Sequence, residues 1–204
     1  MEDRELEWDE YLTLSREGQG LYSEKGSKFI GYAFPIRNEE DLKGRLEELR
    51  KEHHKARHHC FALRIHPEDP YQRANDDGEP GHSAGTPILH QILSHQLMNV
   101  GIVVVRYFGG TKLGVSGLIR AYGDAAREAI SNSLIVKEFL LDPIELTFGY
   151  PQMNEVMRIV SDFGLIIENQ EHTEICRYSF GVRRSIKAKL LERVASLRSV
   201  DVTN

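Results

Sequence analysis

The fold prediction for this chain starts from residues 102–123, IVVVRYFGGTKLGVSGLIRAYG. Apolar, mostly β-branched residues fill positions 101–105 without alternation, which is typical of a strand covered on both faces. Gly109, Gly110 and Gly114 then mark a turn, and the apolar spacing after them predicts a helix over residues 117–132. The stretch therefore predicts a buried strand that a glycine turn (residues 109–114) joins to a helix.

The glycine turn also has the composition of an anion-binding site. It lies among Arg106, Lys112 and Arg120, and the next acid along the chain is Asp124. Glycine lets an anion approach backbone N–H groups, and the start of a helix adds a partial positive charge. We therefore expect a bound anion here, with phosphate as the first candidate. The alternative is a tight strand-to-helix connection with surface cations.

The composition favours a soluble protein without a membrane segment. The chain has 204 residues, 40% of them hydrophobic, which suffices for one large domain or two small ones. No apolar run approaches the roughly 18–20 residues that a membrane span needs, and the acidic start lacks the pattern of a signal peptide. Two cysteines, Cys60 and Cys176, are too few for a disulfide framework. We expect a cytoplasmic protein.

The net charge of −5 excludes a strongly basic protein but leaves room for basic patches. The first ten residues hold six acids and one arginine, so the rest of the chain is neutral. Within that rest, residues 175–198 carry seven lysines and arginines and a single acid, Glu192. This basic segment is open to two interpretations, binding of a phosphate backbone or a solvated helix face.

The first half of the chain is predicted to mix strands and helices. Strands are predicted over residues 29–36, 59–65 and 135–141. One helix is expected to begin after Asn38, a good N-cap followed by three acids, and another at Thr86. A polar loop over residues 66–85 separates these parts.

The second half follows a regular order. Residues 144–203 predict β-α-β-β-α-β, which is the ferredoxin-like arrangement. We therefore predict an α+β fold with one domain over residues 1–141 and a ferredoxin-like domain over residues 142–204.

The acidic segment DDGEP, residues 76–80, is the second candidate for chemistry. Asp76, Asp77 and Glu79 could hold Mg²⁺ or supply acid–base chemistry. They could equally belong to a solvated loop of tight turns. If this segment lies beside the glycine turn, its carboxylates could instead pair with Arg106 or Lys112, which would weaken both the metal and the free-anion hypotheses.

No catalytic residue, metal or cofactor is predicted. The glycine turn matches neither the Walker A pattern nor the dinucleotide-binding fingerprint. The histidines of residues 53–59 cross from a predicted helix into a predicted strand, so a helical zinc spacing is not maintained. His58 and His59 are therefore expected to line the site rather than to bind zinc.

Four segments together resemble the YigZ/IMPACT family. They are KGSKFI (residues 25–30), ARHHCFA (56–62), DDGEP with AGTPIL (76–80 and 84–89) and VVRYFGGTKLGVSGLIRAY (104–122). The resemblance implies a first domain similar to the second domain of small-subunit ribosomal protein five. It also implies a ferredoxin-like domain similar to the last domain of elongation factor G. Eukaryotic relatives regulate translation initiation under nutrient stress through a protein partner.

The first functional hypothesis is a non-enzymatic, translation-linked regulatory protein that binds RNA, the ribosome or a translation-related protein through the glycine turn. Phosphates would be held by cations and glycine N–H groups, while Tyr107, Phe108 and Tyr122 could stack on bases. The alternatives are an enzyme acting on a phosphorylated small molecule and a protein-interaction module. The predicted binding residues are Arg106, Tyr107, Gly109, Gly110, Lys112, Gly114, Arg120 and Tyr122, with His58, His59, Asp76, Asp77 and Glu79 lining the site.

Overall fold

Residues 7–203 are described by the computed structural model, and they fall into two units. The larger unit comprises residues 11–138, and the smaller unit comprises residues 7–10 together with 139–203. The predicted division into 1–141 and 142–204 runs close to this one and, as a statement about domains, stays a prediction. Within the described residues, no helix is both long and apolar enough to cross a bilayer.

Seven strands and three helices build the larger unit. The first residue of β1 and the last residue of β7 are counted with the smaller unit. The strands are β1 (Glu10–Leu14), β2 (Gly18–Glu24), β3 (Ser27–Pro35), β4 (His58–Ile65), β5 (Tyr71–Asn75), β6 (Val100–Tyr107) and β7 (Ile135–Phe139). The helices are α1 (Glu39–Glu52), α2 (Gly85–Ser94) and α3 (Gly114–Ser131). β1 pairs with β7, and the other five form an antiparallel sheet in the order β2-β3-β6-β4-β5.

Strand β6 lies at the centre of the sheet, and both its faces are covered. Ile102 and Val104 belong to the cluster that α2 and α3 pack against, whereas Val103 and Val105 belong to the cluster beneath α1. This explains the unbroken apolar run in the sequence, because a strand buried on both faces needs no polar alternation. The predicted buried strand is confirmed, in an antiparallel sheet.

Helix α1 begins where its local signals predict. The Asn38 side chain accepts a hydrogen bond from the backbone N–H of Asp41 at 2.9 Å, and the Asp41 carboxylate accepts one from the N–H of Asn38. This reciprocal capping box satisfies two N–H groups that the first turn would otherwise leave free. Helix α3 is longer than predicted, since it starts at Gly114 instead of residue 117.

The smaller unit contains four strands and two helices in the predicted order. The elements are β8 (Leu141–Phe148), α4 (Met153–Asp162), β9 (Ile167–His172), β10 (Cys176–Arg183), α5 (Arg184–Ala195) and β11 (Val200–Thr203). The sheet order is β11-β8-β10-β9, with every pair antiparallel. This confirms the β-α-β-β-α-β order and a mixed α/β fold in two units. The similarities to the ribosomal protein and the elongation factor stay predictions.

Candidate functional site

The glycine turn leaves the end of β6 and packs against the hairpin of β2 and β3. A Cβ atom on Gly109 would lie 1.9 Å from the carbonyl carbon of Gly26, so no larger residue fits there without a backbone shift. The Gly109 N–H donates to Ser27 Oγ at 3.0 Å. Gly110 and Gly114 have φ values of +90° and +75°, a region that favours glycine. The Gly109 N–H is thus already used within the protein.

Arg106 and Glu79 form a buried ion pair beside this turn. The side chain of Arg106 is 7% exposed and that of Glu79 4% exposed, and Arg106 Nη1 lies 2.5 Å from Glu79 Oε1. The same carboxylate oxygen accepts a hydrogen bond from the Tyr122 hydroxyl at 2.7 Å. The acidic segment therefore does lie beside the glycine turn. Arg106, predicted as a phosphate ligand, is instead neutralised by Glu79.

Tyr122 lies in the core of the larger unit and is fully buried. Its ring meets Phe29 edge to face, with 5.1 Å between the ring centroids. Burial, followed by the neighbouring Cys60 and Glu79, raises the pKa of its hydroxyl, which keeps it protonated as a donor. The prediction that Tyr122 stacks on a base is revised, because its ring has no open face.

Asp76 holds the loop that precedes α2. One carboxylate oxygen accepts the backbone N–H groups of Ala84 and Gly85 at 2.9 and 2.8 Å, and the other accepts that of His82 at 2.8 Å. Burial by itself would raise the pKa of Asp76, but these three donors outweigh it and lower the pKa. The Asp76 carboxylate therefore acts as a structural acceptor for backbone donors.

Asp77 and the two histidines join the same loop to β4. Asp77 Oδ2 accepts the backbone N–H of His59 at 2.7 Å, and His58 Nδ1 lies 2.9 Å from the Asp77 carbonyl oxygen. The His59 side chain is buried, and desolvation lowers its pKa. No group of three or more His, Cys, Asp or Glu within residues 7–203 is arranged to hold a metal ion.

Two further predicted site residues have partners in the protein. Arg120 Nη2 lies 2.6 Å from Glu24 Oε1, an ion pair between α3 and β2. The Tyr107 hydroxyl is 2.9 Å from His53 Nδ1, behind the end of β6. The Tyr107 hydroxyl is therefore occupied, although Tyr107 lines the space described next. The Arg120 side chain stays exposed, and Glu24 offsets its charge.

A cleft of about 680 Å³ opens between the glycine turn and the segment before β4. We call it the basic cleft; its lining includes Lys55, Arg57, Phe108, Lys112 and Val115. The three cleft cations, Lys55, Arg57 and Lys112, are exposed and form no ion pair with the described residues. Because the only carboxylate among the lining residues is the paired Glu79, the cleft carries a net positive charge.

Helix α3 begins at the edge of the basic cleft. Leu113, Gly114 and Val115 line the cleft, and no side chain caps the start of the helix. The first turn also contains no acid. Its leading N–H groups and the positive end of the helix dipole therefore stay available to an anion.

Lys55 and Arg57 were missing from the sequence prediction. Their segment attracted notice only for its histidines, whereas the strand register gives the two cations their place. His58 of β4 pairs with Arg106 of β6, so the residues just before β4 lie beside the start of the glycine turn. Two basic residues just before a predicted strand were visible in the sequence. Their place beside the glycine turn follows only from the pairing of β4 with β6.

Part of the basic segment of the smaller unit is ion-paired. Arg183 Nη2 lies 2.9 Å from Asp9 Oδ1. Arg184 and Lys187 both reach the Asp142 carboxylate at 2.8 Å. These pairs reduce the charge that the segment could offer to a phosphate backbone, which favours the interpretation of a solvated helix face.

The sequence comparisons match this chain to one family. The model of the Impact N-terminal domain matches residues 25–130, a range that includes the whole basic cleft. IMPACT family member YigZ of Escherichia coli (strain K12) is 33% identical over 150 residues, covering 72% of this chain and 74% of that protein. An IMPACT family member of Thermus thermophilus is 39% identical over 161 residues, covering 79% and 83%.

A solved structure has the same overall fold. It is the crystal structure of a hypothetical protein, 26% identical, with a TM-score of 0.72 over 95% of this chain and 96% of the other. The similarity thus extends over both units. Together with the domain match and the two relatives, it confirms the resemblance stated from the sequence motifs: the chain belongs to the IMPACT family.

Proposed function

We propose that this protein is a translation-linked regulatory protein that binds RNA through the basic cleft. One observation carries the proposal: the three cleft cations lie beside the uncapped start of α3, and the cleft offers no unpaired carboxylate to oppose an anion. Lysine and arginine that are free to meet phosphates supply most of the affinity in RNA and DNA complexes.

Membership of the IMPACT family supports the link to translation. The family resemblance implies a role in translation, because eukaryotic relatives regulate translation initiation. The matched domain, residues 25–130, contains every residue that lines the basic cleft. The charge and position of the basic cleft support the proposal that such a role depends on this surface.

The residues assigned to binding change with the structure. Lys112 keeps its predicted role as a phosphate ligand, and Lys55 and Arg57 join it. Arg106 contributes indirectly, since its pair with Glu79 removes a negative charge from the cleft. Among the three predicted aromatic residues, Phe108 takes the stacking role, because its side chain is 57% exposed and lines the cleft.

RNA fits this surface better than the alternatives do. An enzyme acting on a phosphorylated small molecule would need the carboxylates of the acidic segment for metal binding or acid–base chemistry. Asp76 and Asp77 instead accept hydrogen bonds from backbone N–H groups, and Glu79 pairs with Arg106. A protein partner would need to be acidic to match the three cleft cations. A ring beside free cations is the usual arrangement for single-stranded RNA.

The test is the binding of a fluorescent single-stranded RNA by anisotropy over a range of salt concentrations. We expect affinity to fall with salt and to drop at least tenfold in the triple variant Lys55→Ala/Arg57→Ala/Lys112→Ala. Each lost phosphate contact should reduce the salt slope of log K by about 0.7. The control is Lys43→Ala, which removes an exposed lysine on α1 whose ion pair with Glu40 is outside the cleft.

Three results would contradict the proposal. The first is no binding of RNA by the unmodified protein at low salt, and the second is equal binding by the triple variant. The third is co-purification of a protein partner that survives nuclease treatment and is lost in the triple variant, which would assign the cleft to a protein.

A further inference from the structure

We infer that the basic cleft binds the terminal phosphate of an RNA strand, with the end base stacked on Phe108. This inference rests on the proposed RNA binding and specifies which part of the RNA is recognised. Four properties of the cleft lead to it: its size, its charge, the open start of α3 and the position of the Phe108 ring.

The size of the cleft suits a chain end. Its volume of about 680 Å³ lies in the range typical of pockets for small molecules, roughly 300–1,000 Å³. Such a space accommodates one or two nucleotides but not a helical duplex. The terminal nucleotide of an RNA strand would fill a space of this size.

The charge of the cleft favours a phosphomonoester over a phosphodiester. The three cleft cations have no ion-pair partner among the described residues, and the lining carboxylate of Glu79 is neutralised by Arg106. A terminal phosphate carries a charge of about −1.5 to −2 at pH 7, whereas a diester in the chain carries one negative charge. The additional charge and additional acceptor oxygen can be matched here because more than one cation is free.

The start of α3 provides a place for the phosphate. This helix has 18 residues, and its first turn has neither a side-chain cap nor an acid. At Gly114 no atom other than those of its chain neighbours and its own helix backbone lies within 4 Å of the position that a Cβ would take, so this side of the backbone is open to a ligand. Lys112 and Val115 flank this position and line the same cleft. Free N–H groups at a helix start are suited to phosphate oxygens.

The Phe108 ring provides a place for the base. The Arg106 guanidinium lies over the ring with 5.4 Å between its central carbon and the ring centroid, and the Glu79 ion pair holds that guanidinium in place. The ring is thus supported on one side while more than half of its side chain stays exposed. A base that stacks on the open side would follow the phosphate into the cleft.

The experiment compares RNA oligonucleotides of one sequence, eight nucleotides long, that differ only in their ends. They carry a 5′-phosphate, a 3′-phosphate or hydroxyl groups at both ends, and binding is measured by competition against a fluorescent RNA. We expect at least tenfold tighter binding for one of the phosphorylated forms. The two phosphorylated arms show which end of the strand is recognised.

The variants test the assigned roles. Lys112→Ala should reduce the preference for a terminal phosphate, because one of the cations that match its additional charge is lost, while Lys43→Ala should retain it in full. Phe108→Ala should weaken the binding of all three oligonucleotides three- to tenfold, since the ring is assigned to the base. The preference for a terminal phosphate should stay intact. Circular dichroism spectra of each variant confirm that it is folded.

The outcomes separate this inference from the proposed function. Equal binding of phosphorylated and hydroxyl-ended RNA would overturn the terminal-phosphate inference and leave RNA binding standing. Absence of binding to all three oligonucleotides would overturn both. A preference that is undiminished in Lys112→Ala would also overturn the inference, because the phosphate would then lie elsewhere.

Discussion

Glu79 of the acidic segment and Arg106 of β6 form an ion pair that is almost wholly buried. The pair joins two segments that the sequence presented as independent candidates for chemistry. It neutralises the acid that would otherwise face the cleft, and it supports the exposed Phe108 ring through the guanidinium. The positive charge of the basic cleft is therefore a consequence of this pair together with the three cleft cations.

The first prediction concerns the stability that this pair maintains. We expect Glu79→Gln to lower the free energy of unfolding by about 3–5 kcal/mol, because it leaves the Arg106 charge buried without a counter-charge. Urea denaturation followed by circular dichroism measures the change. The matched control is Glu40→Gln, which breaks an exposed pair with Lys43 and should shift stability by no more than about 0.5 kcal/mol.

A second variant separates the loss of the pair from the burial of a lone charge. In Glu79→Gln/Arg106→Met no unpaired charge remains, and glutamine still offers an oxygen to the Tyr122 hydroxyl. We expect this double variant to recover most of the stability lost in Glu79→Gln. A double variant that is less stable than the single one would show that the attraction within the pair, not its desolvation, dominates.

The elements with strong local signals could be predicted from the sequence, and those shaped by tertiary contacts could not. Helix α1 has its own capping box, and β6 has its unbroken apolar run. Strand β2 was missed because Gly18 and Gly20 suggest a loop. In the structure a Cβ atom on either would lie 2.3–2.4 Å from the backbone of Ala129 in α3, so these glycines permit close helix–strand packing. Strand β5 was missed because it is an exposed edge strand without apolar alternation.

The candidate site divides in the same way. The glycine turn and Lys112 could be predicted from composition, because free cations and glycines in one loop favour an anion. The pairing of Arg106 with the acidic segment was one of the alternatives that the sequence left open. The partners of Arg120 and Tyr122 could not be predicted, since Glu24 and Glu79 are distant from them in sequence and reach them only in the folded protein. Lys55 and Arg57 become part of the cleft through the pairing of β4 with β6.

The third prediction tests the capping box of α1. We expect Asn38→Ala to destabilise the protein by about 1 kcal/mol, because the N–H of Asp41 loses its acceptor at the helix start. Asn38→Ser retains a side-chain oxygen, and its free energy of unfolding should stay within a few tenths of a kcal/mol of that of the unmodified protein. Urea denaturation of the three proteins provides the comparison. A loss in Asn38→Ser equal to that in Asn38→Ala would contradict a capping role.

The fourth prediction contrasts two glycines in the larger unit. Gly109→Ala should destabilise the protein by about 1–3 kcal/mol, because its Cβ would overlap the backbone at Gly26 and force a shift. That shift would move the glycine turn, so we also expect weaker RNA binding. Gly44→Ala lies in α1 with open space around the new Cβ, and it should stabilise by about 0.5–1 kcal/mol. Thermal denaturation of both variants checks the opposite signs.

The fifth prediction concerns the pH dependence of the smaller unit. Asp9 is fully buried, and its carboxylate accepts hydrogen bonds from the Arg183 guanidinium and the Ser185 N–H. Arg183 above all holds the pKa of Asp9 well below the usual 3.8, although burial opposes this shift. A carboxyl group whose pKa is lower in the folded than in the unfolded state makes its full contribution to folding stability at pH values above its unfolded-state pKa. That contribution is lost progressively as the pH falls below about 4. Asp142, whose pKa is lowered by Lys187 and Arg184, acts in the same direction.

Urea denaturation followed by circular dichroism measures this dependence. We expect it to show a steep loss of stability between pH 4 and pH 2. Asp9→Asn should lower stability by about 1.5–3 kcal/mol at pH 7, since hydrogen bonds to a charged group are lost, and should flatten the acid limb. Asp162→Asn, an exposed acid of the same unit, should leave the profile unchanged. An acid limb as steep in Asp9→Asn as in the unmodified protein would assign the pH dependence to other carboxylates, because an amide at position 9 has no proton to take up.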